Sequence, residues 1–392
     1  MTHIVVTGAG FGALRAVQEL RRRDLDLEIT LVAPKLVFTY YPSLIWVPSG
    51  FREPDALSVD VQDYLQAMHV HYLQASVTGV RDGGRTVETD RGTLSNDGLL
   101  LANGGRFLAG IPGIDNVLTL CQGGASAREI GRRIADMNGG RVALGFAGNP
   151  EHKPAMRGGP MFELAFCLDN QLRQEGRRER FELTFFSPNP QPGKRLGERA
   201  VDGLLARLDR QNIHTHLGHK IDRFEPGLVV TQGGRIEADL IVFMPGMTGP
   251  GWVHDSDLPV TASGHVQVDA RARVPGPQRL YAVGDCAAFP GPDWQAKQAH
   301  SADIQAKTAA ANLLTELRGG APQTTVKHEI VCILDSLRDG VLVFRNQDRQ
   351  VVLPPLRPAH WAKIALEKAF LWKYGSRRAR RRLLLGRRRA ET

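Results

Sequence analysis

Cysteine is scarce: the chain of 392 residues has four, Cys121, Cys167, Cys286 and Cys332. So few in so long a chain cannot build a disulfide scaffold, and their spacings match no zinc pattern, so no metal site is expected. Long apolar runs are missing too. No stretch approaches the roughly 18 uncharged apolar residues that a spanning helix needs. No basic-then-apolar leader precedes the strand-like run that opens at His3, so a cytoplasmic context is expected. Hydrophobic residues at 42% and charged residues at 23% exclude disorder as the main state. Nor is the positive charge spread evenly. Of the formal net +9, nearly all sits in residues 371–392, where Lys373 and eight arginines face Glu391 alone. The body of the chain is therefore close to neutral, which excludes a protein basic on every face.

What is abundant is glycine, 42 residues, above the usual share of about 7%. The first cluster has a recognisable setting. A β-branched run, Ile4 to Val6, leads directly into Gly8, Gly10 and Gly12 with Ala13 in the third fingerprint position, then a helical pattern through Leu20 and a second strand from Leu27 to Val32. Strand, glycine turn and helix in this register are the dinucleotide fingerprint. Gly8 makes the turn, Gly10 lets the backbone approach a pyrophosphate, and the helix N-terminus supplies free N–H groups and a positive dipole end. One departure stands out: Ala33-Pro34 replaces the acidic residue expected after the second strand.

The chain also echoes itself. Val77 to Val80, Gly84 to Val87 and Leu99 to Gly104 resemble Ile221 to Phe224, Gly234 to Glu237 and Ile241 to Gly246. Each copy reads as a small antiparallel excursion, a buried strand and a glycine turn, which suggests a duplicated nucleotide-binding-type domain. A third signal is Arg279 to Asp285, where an apolar strand delivers Gly284 and Asp285 to a position suited to a polyol. Helical spacing follows from Lys297 to Leu314.

Together, Gly8–Ala13, Leu99–Gly104 and Tyr281–Asp285 resemble the FAD-binding set of the flavoproteins with two dinucleotide-binding domains. The resemblance implies that Gly8, Gly10, Gly12 and Ala13 hold the FAD pyrophosphate. Asn103-Gly104 stands where that family has Thr-Gly, Gly284 and Asp285 would bind the ribityl chain, and Ala33 and Val77 join the FAD-contacting set. Within this superfamily the chain resembles the sulfide:quinone oxidoreductases and the related flavocytochrome c sulfide dehydrogenases. Val37 to Ser43 resembles their aromatic-Pro segment beside FAD, which adds Pro42 and Ser43. Gly159 to Glu163 resembles their Gly-Pro-aromatic-Glu helix start. Cys332 sits where they keep a cysteine near the flavin, and His360 to Lys363, with Phe370 and Trp372 beyond, resembles their membrane-docking helix. The implied fold is α/β, with two doubly wound dinucleotide-binding-type domains and a C-terminal membrane-facing segment. The expected division is 1–105 and 263–325 for the FAD domain in two parts, 106–262 for the second domain, and 326–392 for the C-terminal segment. FAD is expected to be non-covalent, because the covalent link of some relatives uses an N-terminal cysteine and none precedes Cys121.

Sulfide chemistry of this family uses two cysteines near the flavin, and here the relay is incomplete. The resemblance offers Cys332 as one. The other is expected three or four residues before Pro160, where Met156 and Arg157 stand. Cys121 matches a peripheral cysteine of some relatives. Three readings remain open: Cys332 works with Cys121, Cys332 works alone with an external thiol or persulfide, or the donor is different. Arg157 is either a fixed positive charge near the flavin or a solvated loop residue. Glu163 is a proton-delivery candidate or a first-turn carboxylate satisfying the helix dipole. Lys297 is placed near the flavin pyrimidine by resemblance, or is a surface lysine. Cys167, Cys286 and His300 read as structural.

Type II NADH:quinone dehydrogenases share the architecture. They need a second glycine fingerprint and an acidic residue after the following strand. Here Arg141 to Gly148 runs into a polar loop, and the next strand ends at Ser187-Pro188, so NADH is the alternative donor. In the tail, Trp361, Ile364, Ala365, Leu371 and Trp372 fall on one third of a helix, ahead of the arginine run 377–389. That suits an interfacial helix on anionic lipid. A solvated basic tail and a phosphate-binding tail are weaker readings, and no nucleic-acid motif accompanies the run. The expected partners are a quinone, a small reduced sulfur donor and the inner face of a membrane, with homo-oligomerisation left open. A flavin-binding protein without sulfide turnover is the non-enzymatic alternative.

Overall fold

A computed structural model describes residues 1–375. The arginine run of the tail lies outside the described residues. Along the chain come strand His3–Thr7 (β1), helix Phe11–Arg23 (α1), and strands Glu28–Ala33 (β2), His71–Gln74 (β3) and Gly98–Leu101 (β4). Helix Gly124–Asp136 (α2), strand Gly140–Phe146 (β5), helix Gly159–Gln174 (α3), strand Phe181–Ser187 (β6), helix Glu198–Arg210 (α4) and strands Ile213–Leu217 (β7) and Leu240–Met244 (β8) follow. Then come strand Leu280–Ala282 (β9), helix Ala299–Leu317 (α5), strands Ile330–Asp335 (β10), Gly340–Arg345 (β11) and Gln350–Val352 (β12), and helix Arg357–Gly375 (α6).

Two parallel sheets carry the molecule. The first runs β9-β4-β1-β2-β3 and the second β7-β6-β5-β8. Parallel strands covered on both faces are apolar throughout, and Ile4 to Val6 and Leu99 to Leu101 are fully buried. β9 follows the second sheet in sequence yet pairs with β4 in the first, so the first sheet is completed only after the second has been laid down.

The internal echo is structural. Three antiparallel strands, Val77–Arg81, Thr86–Thr89 and Gly92–Ser95, precede β4, and Ile221–Glu225, Leu228–Thr231 and Gly234–Glu237 precede β8. Both excursions shift register at the same point, between Val77 and Gly79 and between Ile221 and Arg223. The third unit is the antiparallel sheet β10-β11-β12, which packs under α6.

α6 corrects the expected apolar stripe. Ile364, placed on the outer face by spacing, is buried, as are His360, Lys363, Glu367 and Tyr374. The outward face keeps Trp361 (65% exposed), Ala365 and Trp372 (49%) of the expected stripe and adds Leu366 (44%). The helix is turned inside out relative to an ordinary surface helix. His360, Lys363 and Glu367 have partners in the interior, whereas Trp361, Leu366 and Trp372 face outward. No helix among the described residues is long and apolar enough to cross a membrane.

Candidate active site

The glycine turn after β1 is shaped for a phosphate. Gly8 has φ +97°, and a Cβ there would stand 2.3 Å from the Ala102 carbonyl oxygen. A Cβ on Gly10 would meet nothing within 4 Å, whereas one on Gly12 would press on Val283 at 3.1 Å. So Gly12 serves packing, and Gly10 borders open space. α1 begins at Phe11 with no side-chain cap and no acidic residue in its first turn, which leaves its first N–H groups directed at that space. At the end of β2, the Ala33 carbonyl is used inside the protein, accepting from Tyr72 Oη (3.0 Å) and Ala75 N (3.2 Å). Val77 packs in the hydrophobic core. Thr7 Oγ1 donates to Asn103 Oδ1 at 2.5 Å and fixes the turn that ends in Gly104 (φ +72°).

Pro42 and Ser43 lie in the short helical turn Tyr41–Trp46, and Ser43 is fully buried with its Oγ unpartnered. Gln298 Oε1, just ahead of α5, is another buried oxygen without a partner. An open anion cradle, positive φ at Gly8 and Gly104, and orphaned polar atoms at Ser43 and Gln298 form a set of residues that fits FAD.

At the other end, Gly284 (φ +74°) turns the chain after β9 and its N–H donates to Gln305 Oε1 at 2.8 Å. Asp285 is held by Arg157, which takes its Oδ2. That settles the local question about Arg157. It is no solvated loop residue but reaches from the loop before α3 to the carboxylate at the end of β9, leaving Oδ1 for a hydroxyl. Lys297 is also no surface lysine. It is buried just ahead of α5, donates to the carbonyls of Ala287 (2.7 Å) and Asp285 (3.0 Å), and burial lowers it to about 8. Behind it stack His152 and His265, rings 4.7 Å apart, which burial pushes down to about 4 and about 2. These two histidines were missed in the sequence, where neither has a spacing that pairs it with the other.

A second polar cluster lies inside the C-terminal unit. Glu163 is the fifth residue of α3, past the first turn in which a helix-dipole carboxylate was expected; it is buried against Lys363 of α6 and accepts from the Asp335 N–H at 3.1 Å. Burial raises Glu163 to about 7, with Lys363 pulling the other way, and the Glu163 carboxylate holds Lys363 above its ordinary value. Asp335, fully buried at the end of β10, accepts from Trp46 Nε1 (2.8 Å) and pairs with His360 Nδ1 (2.7 Å). Glu367 on α6 pairs with Arg52 at 2.8 Å and keeps its Oε2 unpartnered. Glu163 was a sequence candidate; Asp335, Trp46 and Arg52 were not, and nothing in their local pattern marks them.

All four cysteines are free. Cys332, on β10, faces the Glu163–Lys363 pair, whereas Cys121 has Thr119 and Arg157 as its polar neighbours. Burial pushes both thiols up to about 12, so neither is held as a thiolate at neutral pH. Cys167 and Cys286 are buried, with thiols turned to the carbonyls of Asp335 and Val283, as structural thiols would be. His300 bonds Glu329 at 2.6 Å. Among the described residues no group of His, Cys, Asp and Glu could hold a metal ion.

Residues 2–306 match the model of the pyridine nucleotide-disulphide oxidoreductase family. The chain belongs to that family. It is an FAD-dependent oxidoreductase. It is 25% identical to the sulfide-quinone reductase of Aquifex aeolicus over 95% of this chain and 90% of that one. It is also similar to the type II NADH:quinone oxidoreductase of Mycobacterium tuberculosis, 28% identical over 81% of this chain and 73% of the other. The crystal structure of the Aquifex aeolicus sulfide:quinone oxidoreductase superposes with a TM-score of 0.86 at 23% identity, covering 96% of this chain and 92% of that one. The doubly wound fold expected from the glycine motifs is the fold of this pyridine nucleotide-disulphide oxidoreductase.

Proposed function

We propose that this oxidoreductase passes two electrons from a small reduced sulfur donor, sulfide among them, to a membrane quinone. The observation that carries the reading is the inversion of α6. One helix presents Trp361, Leu366 and Trp372 outward, as a bilayer surface requires, and Lys363 inward against a buried carboxyl that can hold a proton. A lipid-soluble acceptor that takes up two electrons and two protons needs both. The Arg tail adds attraction to anionic lipid at the inner face of the membrane.

FAD, when bound, supplies the two-electron chemistry. The chain's own residues do the rest. Gly8 and Gly10, at the N-terminus of α1, border its pyrophosphate, with Asn103 and Gly104 beside it, while Gly12, Ala13, Ala33 and Val77 pack the turn and strands that hold this cradle. Asp285, presented by Gly284, orients its polyol, and Pro42 and Ser43 close one side. Arg157 and Lys297 place positive charge where a reduced flavin gains negative charge. Cys332 is the first sulfur candidate, and Cys121 the second. Glu163 holds a proton near neutral pH and is recharged through Lys363.

The deciding experiment is anaerobic. Sulfide is expected to bleach the flavin spectrum and a short-chain quinone to restore it, with NADH inactive. Bleaching by NADH alone would favour the type II NADH dehydrogenase reading, and no bleaching by either donor would remove the sulfur assignment. The docking face is tested separately. Trp361→Ser with Trp372→Ser is expected to weaken binding to anionic vesicles about thirtyfold or more, because each exposed Trp contributes on the order of 1 kcal/mol or more of apolar burial. Unchanged vesicle binding would reject that face.

A further inference from the structure

Lys297 is enclosed, yet its charge has no fixed counterpart. It is buried, its Nζ donates to the carbonyls of Asp285 and Ala287, and the Asp285 carboxylate is held by Arg157. Two carbonyl acceptors serve a neutral amine as well as an ammonium, which has three N–H donors. Beside it lies a cavity of about 10 Å³, the room that one water takes, with His152, Asp285, Lys297 and Gln305 on its walls. The His152 ring stacks on that of His265 at 4.7 Å. His265 is fully buried, and the Nε2 atoms of both rings are buried with no hydrogen-bond partner among the described residues. Two such nitrogens in stacked rings call for a reason, since buried polar groups are ordinarily satisfied. The other nitrogen of His265 leads outward. Its Nδ1 bonds Ser263 Oγ at 2.8 Å, and Ser263 Oγ bonds Thr261 Oγ1 at 2.8 Å. Thr261 opens the turn 261–264 and is half-buried, with Ala262 beside it exposed. The exposed His254 sets its Nε2 against Gly264 of the same turn.

We propose that Thr261, Ser263, His265 and His152, with one water in the small cavity, form a proton path that joins solvent to Lys297. Each member does what a relay requires. A hydroxyl both donates and accepts, and a neutral imidazole takes a proton at one nitrogen while it releases one from the other. Burial, with the charge of Lys297 adding to it, pushes His152 down to about 4 and His265 to about 2. Both rings are therefore neutral at neutral pH and pass a proton on instead of keeping it. Lys297, lowered by burial to about 8, is the group that keeps it. The groups facing the path are Asp285, Cys286 and Arg157 around Lys297, and Arg195 beside His152. Asp285 favours the charged amine and Arg157 opposes it. The inference rests on the function proposed above in one respect, the placing of Lys297 beside the flavin. Electrons supplied there by the donor add negative charge, which raises a neighbouring amine. Nζ then forms one N–H bond with a proton taken from solvent through the path, and the proton returns to solvent when the electrons pass to the acceptor.

The test has two arms, both on the FAD-loaded full-length protein. In the first the cofactor stays oxidised, and exchange of the Lys297 Nζ protons with solvent is followed by NMR of protein carrying isotope-labelled lysine. His265→Phe and Ser263→Ala are each expected to slow that exchange about tenfold or more at unchanged FAD content. Ser263→Ala removes one hydroxyl from a turn, so it keeps the test open if His265→Phe folds poorly. Exchange unchanged in both variants overturns the proposal. In the second arm the cofactor is reduced electrochemically, with no sulfur donor present, and proton uptake is read with a pH-indicating dye. One additional proton per reduced protein is expected above about pH 8, where Lys297 is otherwise neutral. Both variants should take up the same number more slowly, and uptake at the parent's rate in both overturns the path. Slowed exchange in the first arm with no additional proton in the second removes Lys297 from the flavin and leaves the path standing, so the two readings fail separately.

Discussion

Gly10→Val is expected to fold like the parent chain and to lose FAD. The position faces open space on the protein side, where an added Cβ meets no protein atom within 4 Å. They occupy instead the volume where a pyrophosphate must approach the α1 N-terminus, and the affinity should fall about 100-fold, close to 3 kcal/mol. Gly8→Ala should behave in the opposite way. Its φ of +97° and the 2.3 Å approach to the Ala102 carbonyl mean that the substituted chain cannot close the β1–α1 turn. A destabilisation of about 3 kcal/mol or more is expected. Urea titration together with the flavin content of the purified variants separates the two outcomes. A Gly10→Val protein that retained FAD would overturn the assignment of this turn to the cofactor.

Lys363→Met should be the most damaging single change in the C-terminal unit. It removes the only cation bonded to the buried Glu163 carboxyl among the described residues, and breaking one side of a buried pair costs about 3–5 kcal/mol. Asp335 and Cys332 on β10 and Tyr40 also face the pair, and none of them supplies positive charge. Lys363→Met combined with Glu163→Gln should recover a substantial part of that loss, since no buried charge is then stranded. The pH dependence has a definite sign. Glu163, at about 7 against an ordinary 4.5, binds its proton more tightly in the folded state. Its contribution to stability is therefore full below about pH 4.5 and is lost as pH rises through about 7. Without Lys363 the carboxyl loses the charge that lowers it, so this fall moves to higher pH. Quinone reduction that depends on a protonated Glu163 should decline on the alkaline side of pH 7 in the parent, and the decline should move the same way in Lys363→Met. Denaturation midpoints and initial rates across pH measure both; a profile that stays in place would exclude Glu163 as the proton carrier.

Much of the fold could be read in one dimension because it is written by neighbours in sequence. The glycine turn, the apolar strands of a doubly covered sheet and the repeated antiparallel excursion each arise within about thirty residues, where backbone geometry and the alternation of buried positions are local matters. The chemistry of Arg157, Lys297 and α6 was not local. A spacing argument can say that a helix has two faces, but not which of its polar residues find partners in the interior. Here His360, Lys363 and Glu367 turn inward instead, because Asp335, Glu163 and Arg52 come from three other parts of the chain to meet them.

The sequence by itself thus determined two nucleotide-binding-type sheets, the glycine turn at Gly8–Ala13 that opens α1, and the absence of a cysteine in the residues just before Pro160. Only the tertiary structure decided that Arg157 closes on Asp285, that Cys121 and Cys332 have separate polar neighbours, and that α6 wears its tryptophans outside. The reason is the range of the forces involved. A turn or strand is set by torsions and hydrogen bonds between residues near in sequence, whereas a buried ion pair forms between residues two hundred positions apart. Its partners become neighbours only after both sheets have packed, and the cost of leaving either charge alone then holds them together.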